Sequence, residues 1–342
     1  MSQYLVSVLT EGSIFTVMAL GLNVIWGWGG DFDLAFYGYV ALGAYMTLVL
    51  TIGRAVPPAE FILGLQLPYP LAVLLGALAA GLMGLVVGLI ALRHLRGIYF
   101  SIVTLGAVYV LYVLAGQYVP LFDGYNGVSG LFDPMGSTFG LTYQTYQYFF
   151  LGLCIAVAVV VFLLLERLSG SRFGLALRST REDERATAAF GRNIYWLKLR
   201  GYVLGAVVGG LAGGLFAGYL TAFNPSAWSP IETIVVYASI LVGGKGNGRG
   251  VVLGVFLIAV LLQESTRFLP QVPNNPELVL ALREMVIGLV LIAFIRLRPQ
   301  GLLPERRHLD REGGPGTGGP PPLGAGASHA APQVGSAEPD AS

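Results

Sequence analysis

The side chains in this sequence that could do chemistry are few, and their spacing argues against catalysis. His94 sits between Arg93 and Arg96 at the edge of an apolar run, and His308 and His329 fall in or near the C-terminal tail. No His/Glu pair has metal-site spacing, and no Ser–His–Asp set stands out. Cys154 is the single cysteine and lies within an apolar run, so no intrachain disulfide can form. The run Gly243-Gly244-Lys245-Gly246-Asn247-Gly248-Arg249-Gly250 places a lysine among glycines. A phosphate loop needs the order G-x-x-x-x-G-K-[ST], with the lysine after the glycines and a hydroxyl behind it. That order is missing, so nucleotide binding by this chain is rejected and no cofactor of its own is expected. An ion-coupled carrier would spend carboxylates inside its spans, at about 2.5–3.5 kcal/mol each on insertion scales. Glu11, Glu232, Glu264 and Glu284 all fall near the expected span ends, so ion coupling finds no support.

The charge that remains is concentrated. Arg167–Arg200 carries eight basic residues against Glu182, Asp183 and Glu184. Such a segment must lie in water, and its positive excess places it on the cytoplasmic side. Within it, Ser179 can cap a helix with Glu182 completing a capping box, and Asp183 and Glu184 fall in the first turn, where the helix dipole favours acids. Ala186, Ala188, Ala189 and Phe190 give a small apolar face, and Gly191 can end the helix in a left-handed conformation. A helix this short does not hold itself in place. Docking in a partner's groove is the first reading. A connector whose arginines meet anionic lipid headgroups is the second.

The rest of the chain must position that segment in a membrane. Hydrophobic residues make up 55% of the 342 and charged residues 11%, against about 25% charged in soluble domains. Leu71–Leu92, Ile98–Val119, Tyr148–Leu165 and Gly201–Ala222 carry no charge and reach or approach the roughly 20 residues a helical span needs. The expectation is an all-α, polytopic transmembrane bundle of about 8–10 spans. Spans are expected near 5–28, 32–52, 70–92, 98–119, 148–166, 201–222, 231–244, 250–268 and 279–296. Residues 1–304 form the expected transmembrane domain. The Gly/Pro/Ala-rich stretch 305–342 is expected to be a disordered, dispensable tail. The start, MSQYLVSVLTEGSIF, has no basic n-region, so no cleavable signal is expected. Basic loops at 93–96, 167–200, 245–249 and 296–311, with none in 120–147, put the C-terminus inside.

Two glycine-rich interruptions and one glycine stripe stand out. Gly27, Gly29, Gly30, Asp31 and Asp33, leading to Tyr37, form a candidate break in a translocation path, with Asp31 or Asp33 capping the helix that follows. An ordinary tight turn is the equal alternative, and the depth of the break is open. The lysine-bearing run at 243–250 is a weak echo of it. Gly205, Gly209 and Gly213 recur every four residues, which makes a nearly bare helix face for close packing or, in a sharper reading, sliding. The loop 120–147 is long enough to meet another molecule or to lie as a lid over the chain's own path.

Ser171-Arg172-Phe173-Gly174-Leu175-Ala176-Leu177-Arg178, Arg181-Glu182-Asp183-Glu184, Ala188-Ala189-Phe190-Gly191 and Lys198 together resemble the coupling-loop region of branched-chain amino acid ABC transporter permeases. Leu95-Arg96-Gly97-Ile98-Tyr99-Phe100-Ser101-Ile102-Val103-Thr104-Leu105, Gly127-Val128-Ser129-Gly130 and Gly21-Leu22-Asn23 add to the resemblance, which runs from about residue 12 to 304 and is nearest the longer, M-type subunit. It implies an importer permease fold with a second, homologous permease subunit, two cytoplasmic ATPases that bind the ATP, and an external substrate-binding protein. Membrane lipid is the expected surround, and nucleic acid is not a partner. By the same resemblance Arg181, Glu182, Asp183, Glu184, Ala188, Ala189 and Gly191 belong to the coupling helix. Leu34–Tyr39 departs from the family pattern, with Ala35, Phe36 and Tyr37 where relatives carry a small residue and His or Gln. Urea and short-amide permeases of the same family, and a self-sufficient ion-coupled carrier, are the alternatives.

Overall fold

The computed structural model describes residues 2–52, 65–95, 97–131, 134–136, 140, 142–225, 230–262, 276–298 and 300–305. The tail expected over 305–342 lies outside them except for its first residue. Helix α1 (Ser2–Leu22) widens into a π-helical end at Asn23–Trp28. Then come α2 (Phe36–Ile52), α3 (Tyr69–His94), α4 (Ile98–Gln117) and the single turn α5 (Val119–Phe122). Next are α6 (Tyr143–Ser169), α7 (Arg172–Glu182), α8 (Glu184–Ala189) and α9 (Ile194–Leu220). The chain continues through α10 (Pro230–Gly243), α11 (Gly248–Val255), a second π-helical segment at Phe256–Leu262, and α12 (Pro276–Leu297). Each of the nine expected spans meets one of these helices, and residues 263–268 of the eighth are not described. Five helices among the described residues are long and apolar enough to cross a membrane. The protein is a multi-pass helical membrane protein.

The bundle is organised around α9, which packs on α1, α2 and α3. Its glycines make two bare faces. A Cβ on Gly205 would meet Ile25 at 2.8 Å, one on Gly209 would meet Phe36 at 3.1 Å, and one on Gly213 would fall on the Val40 carbonyl. On the other face a Cβ on Gly210 would stand 3.0 Å from the Ala77 Cα of α3, and one on Gly214 would stand 2.9 Å from Val73. With no hydrophobic drive between helices in lipid, such close van der Waals approach holds them together. Helix α2 is enclosed by this arrangement: every residue in it except Met46, Thr51 and Ile52 is buried. Its 17 residues rise about 25 Å, short of a 30 Å hydrocarbon core. Polar side chains inside the apolar helices bond back to their own turns, as Thr16 does to the Gly12 carbonyl and Thr47 to that of Gly43, at 2.7 and 2.8 Å.

Leucines and aromatics with nothing to bury them cover the outer faces of α3, α4 and α6, among them Leu82, Tyr109 and Leu164. At the far end from the basic segment, the loop after α4 packs on the chain's own helices. Val128–Ser129 pairs antiparallel with Ala222–Phe223 behind α9. Phe122 and Phe223 set their edges against Tyr45 of α2 at 5.2 and 5.3 Å.

Helix α9 begins seven residues before the expected span, at Ile194 rather than 201. Asn193 caps it, its side-chain oxygen accepting from the Trp196 amide at 3.3 Å. Lys198 and Arg200 therefore ride on a helix that emerges from the apolar layer.

Candidate functional site

The first glycine break lies at the charged end of the bundle and has no backbone ladder of its own past Gly30. Gly30 turns the chain with φ +83°, and a Cβ there would stand 2.9 Å from Cγ of Arg181, so only glycine fits. The groups that follow must find partners elsewhere, because unpaired backbone is costly away from water. Helix α4 supplies two of them from one face, three residues apart. The Ser101 hydroxyl donates to the Phe32 carbonyl at 2.6 Å, and the Thr104 hydroxyl accepts from the Leu34 amide at 3.2 Å. Tyr237 of α10 serves Asp33 twice, accepting from its amide and donating to its carbonyl, each at 2.8 Å. The buried Asp33 carboxylate accepts from the Ala35 amide at 2.8 Å, closing the turn just ahead of α2.

Removing those hydroxyls tests this account. Ser101→Ala and Thr104→Val are each expected to cost about 1–3 kcal/mol, the penalty for a buried group left unmade, measured by thermal unfolding in detergent. A shift no larger than that of an exposed control would mean that water or a neighbour serves the break instead.

Below the break lies α7, capped by Ser171, whose hydroxyl accepts from the Gly174 amide at 3.4 Å. Its last turns carry two arginines inward. Arg181 donates to the Gly27 carbonyl and pairs with Glu305 at 2.7 Å. Arg178 pairs with the other oxygen of Glu305 at 3.0 Å and donates to the Gly246 carbonyl at 3.1 Å. The second glycine run reaches the same place: the Gly246 amide donates to Oδ1 of Asn23, in the π-helical end of α1, at 2.9 Å. Lys245 stands over the Trp26 ring at 4.4 Å. Lys198 of α9 lies 2.8 Å from Asp31 and 2.8 Å from Glu184, tying α8 to the first break.

These charges are largely out of water. Burial pushes the Asp31 carboxyl above its ordinary value, opposed by Lys198. Burial lowers Arg178 against the pull of Glu305, and burial with the nearby Arg181 brings Lys245 down to about 8.

Gly27, Gly30 and Asp31 are thus brought together with Arg181 and Glu184. A Cβ on Gly29 would stand 2.6 Å from the Ile25 carbonyl oxygen, and Tyr37 is buried within the bundle. Glu182, Asp183, Ala188, Ala189 and Gly191 stay exposed on the outer side. Phe190, beside them, is 86% exposed.

The single helix expected over Ser179–Gly191 is instead two. Ser179 lies inside α7 and turns its hydroxyl back to the Ala176 carbonyl at 2.7 Å. Asp183 breaks the helix and caps α8, its carboxylate accepting from the Arg185 and Ala186 amides at 2.8 and 3.0 Å. Gly191 has φ +73°, the left-handed ending the sequence suggests. Glu305, assigned by sequence to the tail, belongs to the same compact unit as the helices, Met1–Glu305. Sequence reasoning passed over Tyr237, and saw Asn23, Arg178 and Lys198 only as members of motifs that resemble the family, without their partners. Among the described residues no three metal-ligating side chains gather. What the arrangement can do is mechanical: α7 and α8 hold both glycine breaks from one side and offer a small exposed face on the other.

A fold of this kind has counterparts. The high-affinity branched-chain amino acid transport system permease protein LivM of Escherichia coli (strain K12) is 30% identical over 322 aligned residues, covering 88% of this chain and 70% of that protein. The protein of the same name in Salmonella typhimurium (strain LT2) matches to the same extent. The probable branched-chain amino acid transport permease protein LivM of Methanocaldococcus jannaschii is 27% identical, with 86% and 91% of the two chains covered. No solved structure matches the chain significantly. The family described as branched-chain amino acid transport system / permease component matches residues 4–295, from the first turn of α1 to the end of α12 and so across both breaks and the arginines that join them. The chain belongs to that family of permease components.

Proposed function

We propose that this chain is the translocation subunit of an ATP-driven importer of branched-chain amino acids, moved by partner ATPases that seat α8 in a groove on the cytoplasmic side. The observation that carries the reading is Phe190. A phenylalanine 86% exposed at the charged end, beside exposed Ala186, Ala188 and Ala189, is an anchor that none of the described residues buries. Aromatic anchors in a partner's pocket dominate interface energetics. The inner side of the same helix pair is fixed to both glycine breaks, so force on the anchor reaches the path. The names of the relatives support branched-chain amino acids as the cargo. A second homologous permease, a pair of ATPases and an external binding protein complete the assembly, with the C-terminus in the cytoplasm.

Reconstitution in proteoliposomes with and without the ATPases tests this, with leucine uptake as the readout. Uptake is expected only with the ATPases and ATP. Phe190→Asp is expected to cut it at least tenfold while the chain stays in the membrane. Uptake by the chain alone, driven by an ion gradient, would show a secondary carrier.

A further inference from the structure

Residues 300–305 return from α12 to the second glycine break. The Leu302 amide donates to the Val242 carbonyl at 2.9 Å and the Leu303 amide to that of Gly243 at 3.0 Å. The Asn247 side-chain amide donates to the Leu303 and Pro304 carbonyls, both at 3.3 Å. This brings the Glu305 carboxylate against Gly246, where φ is +85° and a Cβ would meet that carboxylate at 2.8 Å. Both carboxylate oxygens are used, one by Arg178 and one by Arg181. Those arginines sit three apart on α7, on the same helix face, with side chains only 16% and 19% exposed. Without the carboxylate they would repel each other while each reached for a carbonyl, Gly246 for Arg178 and Gly27 for Arg181.

We propose that Glu305 is a positioning residue of the transport cycle. Its carboxylate clamps α7 to both glycine breaks at once, so that a displacement of α8 moves the two breaks together. The clamp is a property of this chain alone; its role in transport rests on the importer reading above.

Two measurements test it. In the purified permease, Glu305→Gln is expected to raise amide hydrogen exchange at Gly246 and at Gly29 and Gly30 together, at least tenfold at each. Unchanged exchange at either break overturns the clamp, whatever the transport mechanism. In proteoliposomes with the ATPases and binding protein, the same variant is expected to lower leucine moved per ATP hydrolysed about tenfold, and Glu305→Asp to recover part of it. An unchanged ratio, or a loss of uptake matched by an equal loss of ATPase association, overturns the transport role. Should Glu305→Gln fail to accumulate, the pair Glu305→Gln with Arg178→Gln, which also removes one of the two facing cations and so their repulsion, is read by the same ratio. ATP-independent uptake by the wild-type chain would sink the importer reading and leave the exchange result to decide the clamp.

Discussion

Gly213→Leu is expected to leave almost no folded permease in the membrane. Helix propensity alone predicts the opposite, since leucine is better than glycine in a helix interior by most of a kcal/mol. The surroundings decide against it. A Cβ at Gly213 would fall on the Val40 carbonyl, 2.7 Å from that carbonyl carbon and 3.0 Å from the Ala44 amide nitrogen. These are backbone atoms of the buried α2, with no flexible side-chain end to swing away. Three residues nearer the charged end of α9, where it crosses α2, Gly43 and Gly210 approach so closely that a Cβ on Gly43 would stand 2.6 Å from the Gly210 Cα. Overpacking a well-filled site costs about 1–3 kcal/mol when side chains can shift; here two helix axes must part, and the cost is expected to exceed that range. Gly106 and Gly152, in α4 and α6, supply the control, because a Cβ there meets nothing within 4 Å. Leucine at either is expected to leave stability unchanged or raise it by up to about 1 kcal/mol, as helix propensity alone gives. Size-exclusion profiles and melting temperatures in detergent compare the three. A Gly213→Leu protein that elutes and melts like wild type would refute backbone contact between α2 and α9.

How much of this was legible in the sequence depended on the range of the interaction. Apolar runs located the helices, and the four-residue glycine spacing marked the faces of α9, since both signals repeat along the chain. The charged segment was visible as charge, but its fold turned on competing caps. Ser179 and Glu182 match the capping-box pattern, yet the helix had already begun eight residues earlier at Ser171. Asp183 then took the second cap by bonding two amides at once. The start of α9 was misplaced because charge was taken as the edge of the helix, whereas Asn193 sets it. Contacts such as Asn23 with Gly246 join positions 223 apart, and nothing local encodes them. The Ser101 and Thr104 motif was visible as resemblance only; the structure supplies its physical reason, two hydroxyls on one helix face serving a break about seventy residues away.

Lys198→Met carries the second large effect. Methionine keeps most of the side chain's length, so the loss falls mainly on the ammonium, its charge and its hydrogen bonds. The lysine is 13% exposed and Asp31 18%, and breaking such a pair by removing one partner costs about 3–5 kcal/mol, because the other is left out of water without compensation. Glu184 is 30% exposed and keeps more of its hydration, so the stranded Asp31 dominates. Two consequences separate this from a packing defect. Lys198→Met with Asp31→Asn is expected to recover most of the stability lost in the single variant, since no buried charge remains unpaired. The single variant is also expected to be least affected in acid. Asp31 is already held above 3.8 in the folded protein despite its lysine, and losing the lysine raises it further. A carboxyl whose folded pKa lies above its unfolded value binds more protons folded than unfolded, so stability falls as the pH rises from 3.8 through that folded value. Melting temperatures between pH 5 and 8 should therefore show the gap between variant and wild type widening with pH. A gap of constant size, undiminished by Asp31→Asn, would mean that Lys198 holds α8 and the first break together by packing and not by charge.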